Sequence, residues 1–350
     1  MLRPRPRPAA RAAAAAVMVA FAGHAAGAAC GGLAGAGGAA ERPLTRYLTG
    51  SAADVAPPLA GPAHVLQGGG GDVDAALQWL IDEVRGCAAC ATTLDIVVLR
   101  ASGADAYNEY LYAMNGVNSV ETLVITTPDP SSAAPVVATV RAAEIVFFAG
   151  GDQCKYVRNF KGTPLAEAVE AVYARGGGVG GNSAGLAILG EYVYDACTGS
   201  ETSARALADP YDEWISFSYG FFRWPHLERT ITDTHVDGRD RLGRTLAFLA
   251  RQIRDGVTPR ALAIAVSEAT SVVVDAAGRA TVMGAGPAYF ILADHPPEVC
   301  EPGRPLTYRD YKIWRVPEGG SFDLADRPAS GFYLRSVVEG VLPESPYLPD

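Results

Sequence analysis

Between residues 64 and 181 the chain alternates short β-rich runs with helix-length segments, and that alternation leaves few folds open. The runs at 64–67, 95–100, 121–126, 144–149 and 178–181 read as strands, and 73–85, 104–114, 133–142 and 164–175 read as helices. Strands separated by helices pair in parallel, with the helices packed on both faces of the sheet. Ile96-Val97-Val98-Leu99 and Ile145-Val146-Phe147-Phe148 carry no polar face, as strands buried on both sides require. The expected class is α/β, three-layer, with a mostly parallel central sheet. Ligands in such sheets bind at the carboxyl ends of the strands. Three of those ends carry glycine-rich turns, at 68–71, 150–153 and 180–185.

The rest of the chain is less regular, with a helix expected over 239–253 and β-rich runs at 261–266, 271–274 and 289–293. The tail over 301–350 is proline-punctuated and assigns no function. Residues 1–28 read as a secretory signal: Arg3, Arg5, Arg7 and Arg11 precede an apolar run, and Ala26-Gly27-Ala28 supplies small residues for cleavage. The run is too short to span a bilayer. Residues 29–62, rich in Ala, Gly and Pro, read as a flexible leader, and 63–350 as one domain. The expected location is secreted or periplasmic. A lipid anchor on Cys30 is the competing reading, against which Gly27 stands where a lipoprotein signal carries Leu.

The net charge of −9 becomes more negative once the signal arginines are removed, which argues against nucleic acid, whose binding depends on Lys and Arg displacing counterions. In an exported chain, Cys30, Cys87, Cys90, Cys154, Cys197 and Cys300 permit disulfides without fixing their pairing. Cys87-Ala-Ala-Cys90 has redox or half-zinc spacing, but no second pair of Cys or His completes a metal site, so no metal is expected and a local disulfide or two plain thiols is the reading.

Gly181-Asn182-Ser183-Ala184-Gly185 has the spacing of a nucleophile presented on a sharp strand-to-helix turn, where small neighbours are needed to lift the hydroxyl clear of the sheet. A capping serine in a glycine-rich turn would share the spacing. If Ser183 attacks a carbonyl, the oxyanion needs N–H donors; Ala184 at the helix start is one, and the 150–153 turn is placed for another. A serine also needs a base, and His64, His226, His235 and His295 are the choices outside the signal. His235 stands apart because Arg239, Arg241 and Arg244 follow it, and such a cluster can grip carboxylates. Glu268 follows an apolar strand end, where a carboxylate can be held partly buried.

Taken together, these segments resemble the cyanophycinase family of serine peptidases, relatives of the aspartyl dipeptidases with a class I glutamine amidotransferase-like fold. The resemblance runs through Val65-Leu66-Gln67-Gly68-Gly69-Gly70, residues 97–103, Tyr107-Asn108, residues 120–123, residues 147–153, the Ser183 turn, the arginine block after His235, and Ser267-Glu268-Ala269-Thr270. It implies a Ser183, His235, Glu268 triad, oxyanion donors at Gly151 and Ala184, and substrate contacts from Gln153, Asp233, Arg239, Arg241 and Arg244. It also implies hydrolysis of β-aspartyl-arginine bonds in cyanophycin or related isoaspartyl peptides, no metal or organic cofactor, and a homodimer. Thr234 stands where cyanophycinases carry Gln, and Asn182 where they carry Thr, departures that bear on the substrate more than on the nucleophile.

Two other readings account for parts of the sequence. An α/β-hydrolase esterase shares the Ser183 turn but orders its triad serine, acid, histidine, which would recruit Asp233 or Asp275 and then His295. A secreted binding protein that has lost catalysis would keep the fold alone. A dinucleotide site at 68–71 lacks its third glycine, with Val73 in that place.

Overall fold

The computed structural model describes residues 42–349; the expected signal, Cys30 and the first part of the leader lie outside them. The first half runs β1 (Leu44–Gly50), β2 (Ala63–Gln67), α1 (Asp74–Arg85), β3 (Leu94–Arg100), α2 (Asn108–Tyr112), β4 (Val117–Ile125), α3 (Ala134–Ala142), β5 (Ile145–Phe148), α4 (Gln153–Phe160), α5 (Pro164–Ala174), β6 (Gly178–Asn182) and α6 (Ala184–Ala187). The second half adds β7 (Tyr192–Tyr194), α7 (Ser203–Ala208), β8 (Phe217–Tyr219), β9 (Thr230–Thr234), α8 (Leu242–Arg254), β10 (Ala261–Val266), β11 (Thr270–Val274) and β12 (Arg279–Gly284). It closes with β13 (Ala288–Ala293), β14 (Tyr308–Val316), β15 (Ser321–Asp323) and β16 (Tyr333–Val337). Among the described residues no helix is long and apolar enough to cross a membrane.

The centre is the expected one: β4, β3, β5, β6 and β2 lie side by side in parallel. Alternation along β3 sorts its side chains between two cores. Ile96 and Val98 face α1, whose Leu77, Leu80, Ile81 and Val84 recur at helical spacing, while Val97 and Leu99 face α3 and α5. Each such side chain removed from water contributes about 1.5–3 kcal/mol.

Three features depart from the sequence reading. Residues 44–50, assigned to the leader, form β1, an antiparallel edge strand on β4. The surrounding Ala, Gly and Pro hide a short alternating stretch, Leu44-Thr45-Arg46-Tyr47-Leu48, whose Arg46 pairs with Glu121 at 2.7 Å. The helix expected over 104–114 is reduced to α2, and helix α4 follows a turn that was read alone. Finally, β16-β14-β13-β10-β9-β7-β8 form a second sheet of seven strands, built partly from the proline-punctuated tail. Leu262, Ile264, Val266 and Phe290 on one of its faces join the core of the first sheet, and Ala263 and Ile291 on the other pack with α8. The molecule is α/β, with part of one sheet face covered by this second sheet and α8 lying beyond it.

Strand β2 carries the first sheet toward the second. Its end meets the ends of β6, β9 and β10, so the turns after four strands converge.

Candidate active site

Ser183 stands between β6 and α6 with φ 53° and ψ −115°, a backbone conformation that a non-glycine residue holds only under constraint from its surroundings. The glycines around it supply that constraint. Gly185 lies so close to the Phe148 carbonyl that any Cβ would overlap it, and Gly181 packs directly against Gly185. The turn therefore seats on the end of β5 only when both positions lack a side chain.

His235, at the end of β9, presents Nε2 to Ser183 Oγ at 2.7 Å and Nδ1 to Glu268 Oε1 at 2.6 Å. This network assigns the proton to Nδ1 and leaves the Nε2 lone pair for the serine hydroxyl. Burial lowers the His235 pKa below 6.5; Glu268 opposes the shift, and Arg239 and Arg241 reinforce it. The imidazole is thus neutral at neutral pH. Glu268 is positioned by its own N–H, which donates to Asp237 Oδ1 at 2.9 Å.

The 68–71 turn holds these parts together. Gln67 O accepts from Ser183 N at 3.0 Å, Gly68 O from His235 N at 2.8 Å, and Gly69 O from Ala269 N at 2.8 Å. One short segment thus bonds the backbone of all three converging turns. Gly69, with φ 92°, lies against the His235 ring so closely that a Cβ there would overlap it.

On the other side of the serine, a Cβ on Gly150 would lie 3.7 Å from Ser183 Cβ. The Gly151 and Ala184 N–H groups have no acceptor among the described residues. Asp152 caps α4 by accepting from Cys154 N at 2.9 Å, and Gln153 begins the helix. A Cys154–Cys197 disulfide ties this helix to the loop after β7; a second bridge joins Cys87 to Cys90, and Cys300 is free and buried.

Of the five expected substrate contacts, three are not held in a buried ion pair. Gln153 has no side-chain partner among the described residues, and Arg239 is exposed with Nε 3.9 Å from Glu268. Arg241 donates to Thr234 O at 3.1 Å, and burial lowers its pKa to about 10. Asp233 and Arg244 are different. Both are buried, Arg244 Nε donates to Asp233 Oδ2 at 2.9 Å, and Thr245 Oγ1 donates to the same oxygen at 2.9 Å. Burial alone would raise the Asp233 pKa, but Arg244 outweighs it and lowers it. The pair braces the start of α8 against β9 and is not available to a ligand. Arg244 accordingly does not join Arg239 and Arg241 in a cluster open to a carboxylate.

The other histidines are occupied elsewhere. His295 ring nitrogens face the carbonyls of Pro296 and Arg309, His64 is buried against Val179 O, and His226 faces Ala276 O. The esterase arrangement with His295 is therefore not formed.

One cluster was missed from sequence. Asn182 Nδ2 donates to Asp72 Oδ1 at 2.7 Å, and Tyr107 Oη donates to the same oxygen at 2.8 Å. Burial raises the Asp72 pKa against the effect of these two hydrogen bonds. The cluster ties the nucleophile turn to the segment that follows the 68–71 turn. Its sequence signals were Asn182 as an unusual neighbour of Ser183 and Tyr107 within the family resemblance, with nothing to join them to Asp72.

No family model matches the chain. It is 27% identical over 218 residues to a cyanophycinase from Nostoc sp., a match covering 61% of this chain and 67% of that protein. It is 26% identical over 172 residues to a cyanophycinase from Synechococcus elongatus, covering 49% and 48% respectively. A crystal structure of a peptidase from an acI-B1 Actinobacterium superposes with a TM-score of 0.53 at 14% identity, over 76% of this chain and 98% of that one, a likeness of fold.

Proposed function

The chain is related to the cyanophycinases, and on that premise we propose that it is a serine peptidase that hydrolyses aspartyl peptide bonds, with the β-aspartyl-arginine bonds of cyanophycin or related isoaspartyl peptides as substrates. The observation that carries the reading is the unbroken line from Ser183 Oγ through His235 to Glu268, with links of 2.7 and 2.6 Å.

The reaction follows from the geometry. Ser183 Oγ attacks the carbonyl carbon while its proton passes to His235 Nε2, and Glu268 holds the resulting imidazolium. The negative charge on the carbonyl oxygen falls to the free N–H groups of Gly151 and Ala184. The C–N bond then breaks, the amine leaves with the His235 proton, and an acyl-enzyme remains on Ser183. Water, deprotonated by the same imidazole, attacks the ester and restores the serine. Gln153, Arg239 and Arg241 orient the aspartyl carboxylate, since guanidinium forks match carboxylate geometry.

The reading includes export, with which the Cys87–Cys90 and Cys154–Cys197 bridges are consistent. The decisive experiment incubates purified protein with cyanophycin and with a panel of β-aspartyl dipeptides, using Ser183→Ala as the control. We expect release of dipeptides or amino acids and a fall in kcat of about 10⁴-fold or more in the variant. Equal turnover by both proteins would refute the serine mechanism, and no turnover of any aspartyl substrate would refute the substrate class.

A further inference from the structure

At the end of the second sheet opposite the cleft lies a group of cations that hydrolysis does not use. Arg229 immediately precedes β9 and Arg260 immediately precedes β10, and these strands run parallel as neighbours. Leu262 N donates to Arg229 O at 3.1 Å, which locks the two strand starts together. Arg327, after β15, reaches the same groove of about 730 Å³, which His226, Glu228 and Asp326 also line. His235 and Glu268 follow the far ends of the same two strands, roughly 20 Å away at about 3.3 Å per residue.

None of the three guanidiniums has a hydrogen-bond or carboxylate partner among the described residues, although Glu228 and Asp326 share the groove. Arg327 is half-buried while Arg229 and Arg260 are exposed; burial followed by the nearby Arg229 and Arg260 lowers the Arg327 pKa, and Glu228 opposes the shift. Three guanidiniums against the carboxylates of Glu228 and Asp326 leave an excess of positive charge in the groove, and the half-buried Arg327 keeps donors that water serves poorly. An anion seated among them removes both costs. Three forks from three separate segments offer more donors than one planar carboxylate can use, but a tetrahedral oxyanion can accept from all of them.

We propose that Arg229, Arg260 and Arg327 form a binding site for a tetrahedral dianion of the phosphate or sulfate class, remote from the cleft. The test is calorimetric titration of the full-length protein with inorganic phosphate and with sulfate, in sodium chloride at matched ionic strength. Melting temperatures are followed in parallel. These anions also stabilise folded proteins generally, by exclusion from the surface, so the diagnostic signal is the saturable part. We expect saturable binding to the wild type, weakened at least about ten-fold in Arg327→Gln and abolished when Arg229→Gln and Arg260→Gln are added. The Arg327→Gln variant alone keeps the test decisive should the triple one fold poorly. Absence of saturable heat with either anion, equal binding by the variants, or an equal response to chloride alone would overturn the proposal.

Discussion

Ser183 and His235 both hold positive φ, at 53° each, and each is fixed by a glycine whose missing side chain leaves the room. At Gly69 that room is occupied by the His235 ring, so Gly69→Ala should displace the base without touching the nucleophile or the cleft arginines. Misplacement of about 1 Å costs on the order of 10²-fold in rate, and strain at a positive φ adds about 1–3 kcal/mol of instability. We therefore expect kcat to fall about a hundredfold with KM little changed, and steady-state kinetics beside a thermal melt measure both; wild-type kcat would show that the turn does not seat His235. A second residue-scale prediction concerns pH. The base acts only when neutral, so activity rises with pH through the His235 pKa, which burial and the nearby arginines hold below 6.5. Removing one cation with Arg239→Ala should raise that pKa and move the acid limb of kcat/KM to higher pH. A limb that stayed in place or moved lower would mean that Arg239 does not sense the imidazole charge.

At the scale of elements, the Cys154–Cys197 bridge joins the two walls that flank the serine. Cys154 is in the first turn of α4, just after the 150–153 turn, and the loop holding Cys197 leads to Ser200 and Glu201, which contact Arg241 and Arg244. Closing a separation of 43 residues restricts the unfolded chain by up to about 4 kcal/mol. Cys87–Cys90 closes only 3 and contributes little by that route. Replacing Cys154 and Cys197 together by Ala should lower the melting temperature by several degrees and kcat/KM roughly ten-fold, whereas the same change at Cys87 and Cys90 should leave kcat/KM alone; the reverse ranking would assign no positioning role to the first bridge. The Cys154–Cys197 pairing was not legible in the sequence, because cysteines far apart in the chain carry no local signal, whereas Cys87 and Cys90 are near enough for a local bridge to be one of their expected readings. Apart from β1, the shortened α2 and α4, the strands and helices before residue 181 were legible because burial on both faces imposes apolar runs and helical spacing imposes stripes. Ser183 and Glu268 stood out because each follows an expected strand, whereas β9 was not expected and His235 stood out through the arginines that follow it. What failed to show depended on distant partners. The role of Arg244 is set by Asp233 across a helix–strand contact, and that of Asn182 by Asp72 some 110 residues earlier. The second sheet failed to show because its outer antiparallel strands come from a tail broken by prolines.

For the molecule as a whole, buried titratable groups away from the cleft set how stability varies with pH. His64 is fully buried, stacked on Tyr173 at 4.3 Å between ring centroids, and burial holds its pKa at about 3 instead of 6.5. Its neutral form is favoured by the fold, so the stability it contributes is complete above pH 6.5 and declines as pH falls toward 3. Asp233 acts in the same direction at lower pH: its lowered pKa contributes stability above the ordinary carboxylate range, lost as pH falls through the folded value. Glu144 works oppositely. Its carboxylate accepts from Asp95 N at 2.9 Å, and burial pushes its pKa up to about 7 from 4.5 despite Arg175 nearby. Folding therefore favours the protonated acid, and stability falls as pH rises from 4.5 to 7. Between 4.5 and 6.5 the His64 and Glu144 trends oppose each other, which predicts a broad plateau there and a steep loss below it. Glu144→Gln, which keeps the shape but cannot ionise, should remove the decline toward neutral pH and raise stability at pH 8 by about 1–3 kcal/mol. Denaturant unfolding at stepped pH reads this directly; parallel wild-type and Glu144→Gln curves from pH 4.5 to 7 would show that the site does not disfavour the charged carboxylate.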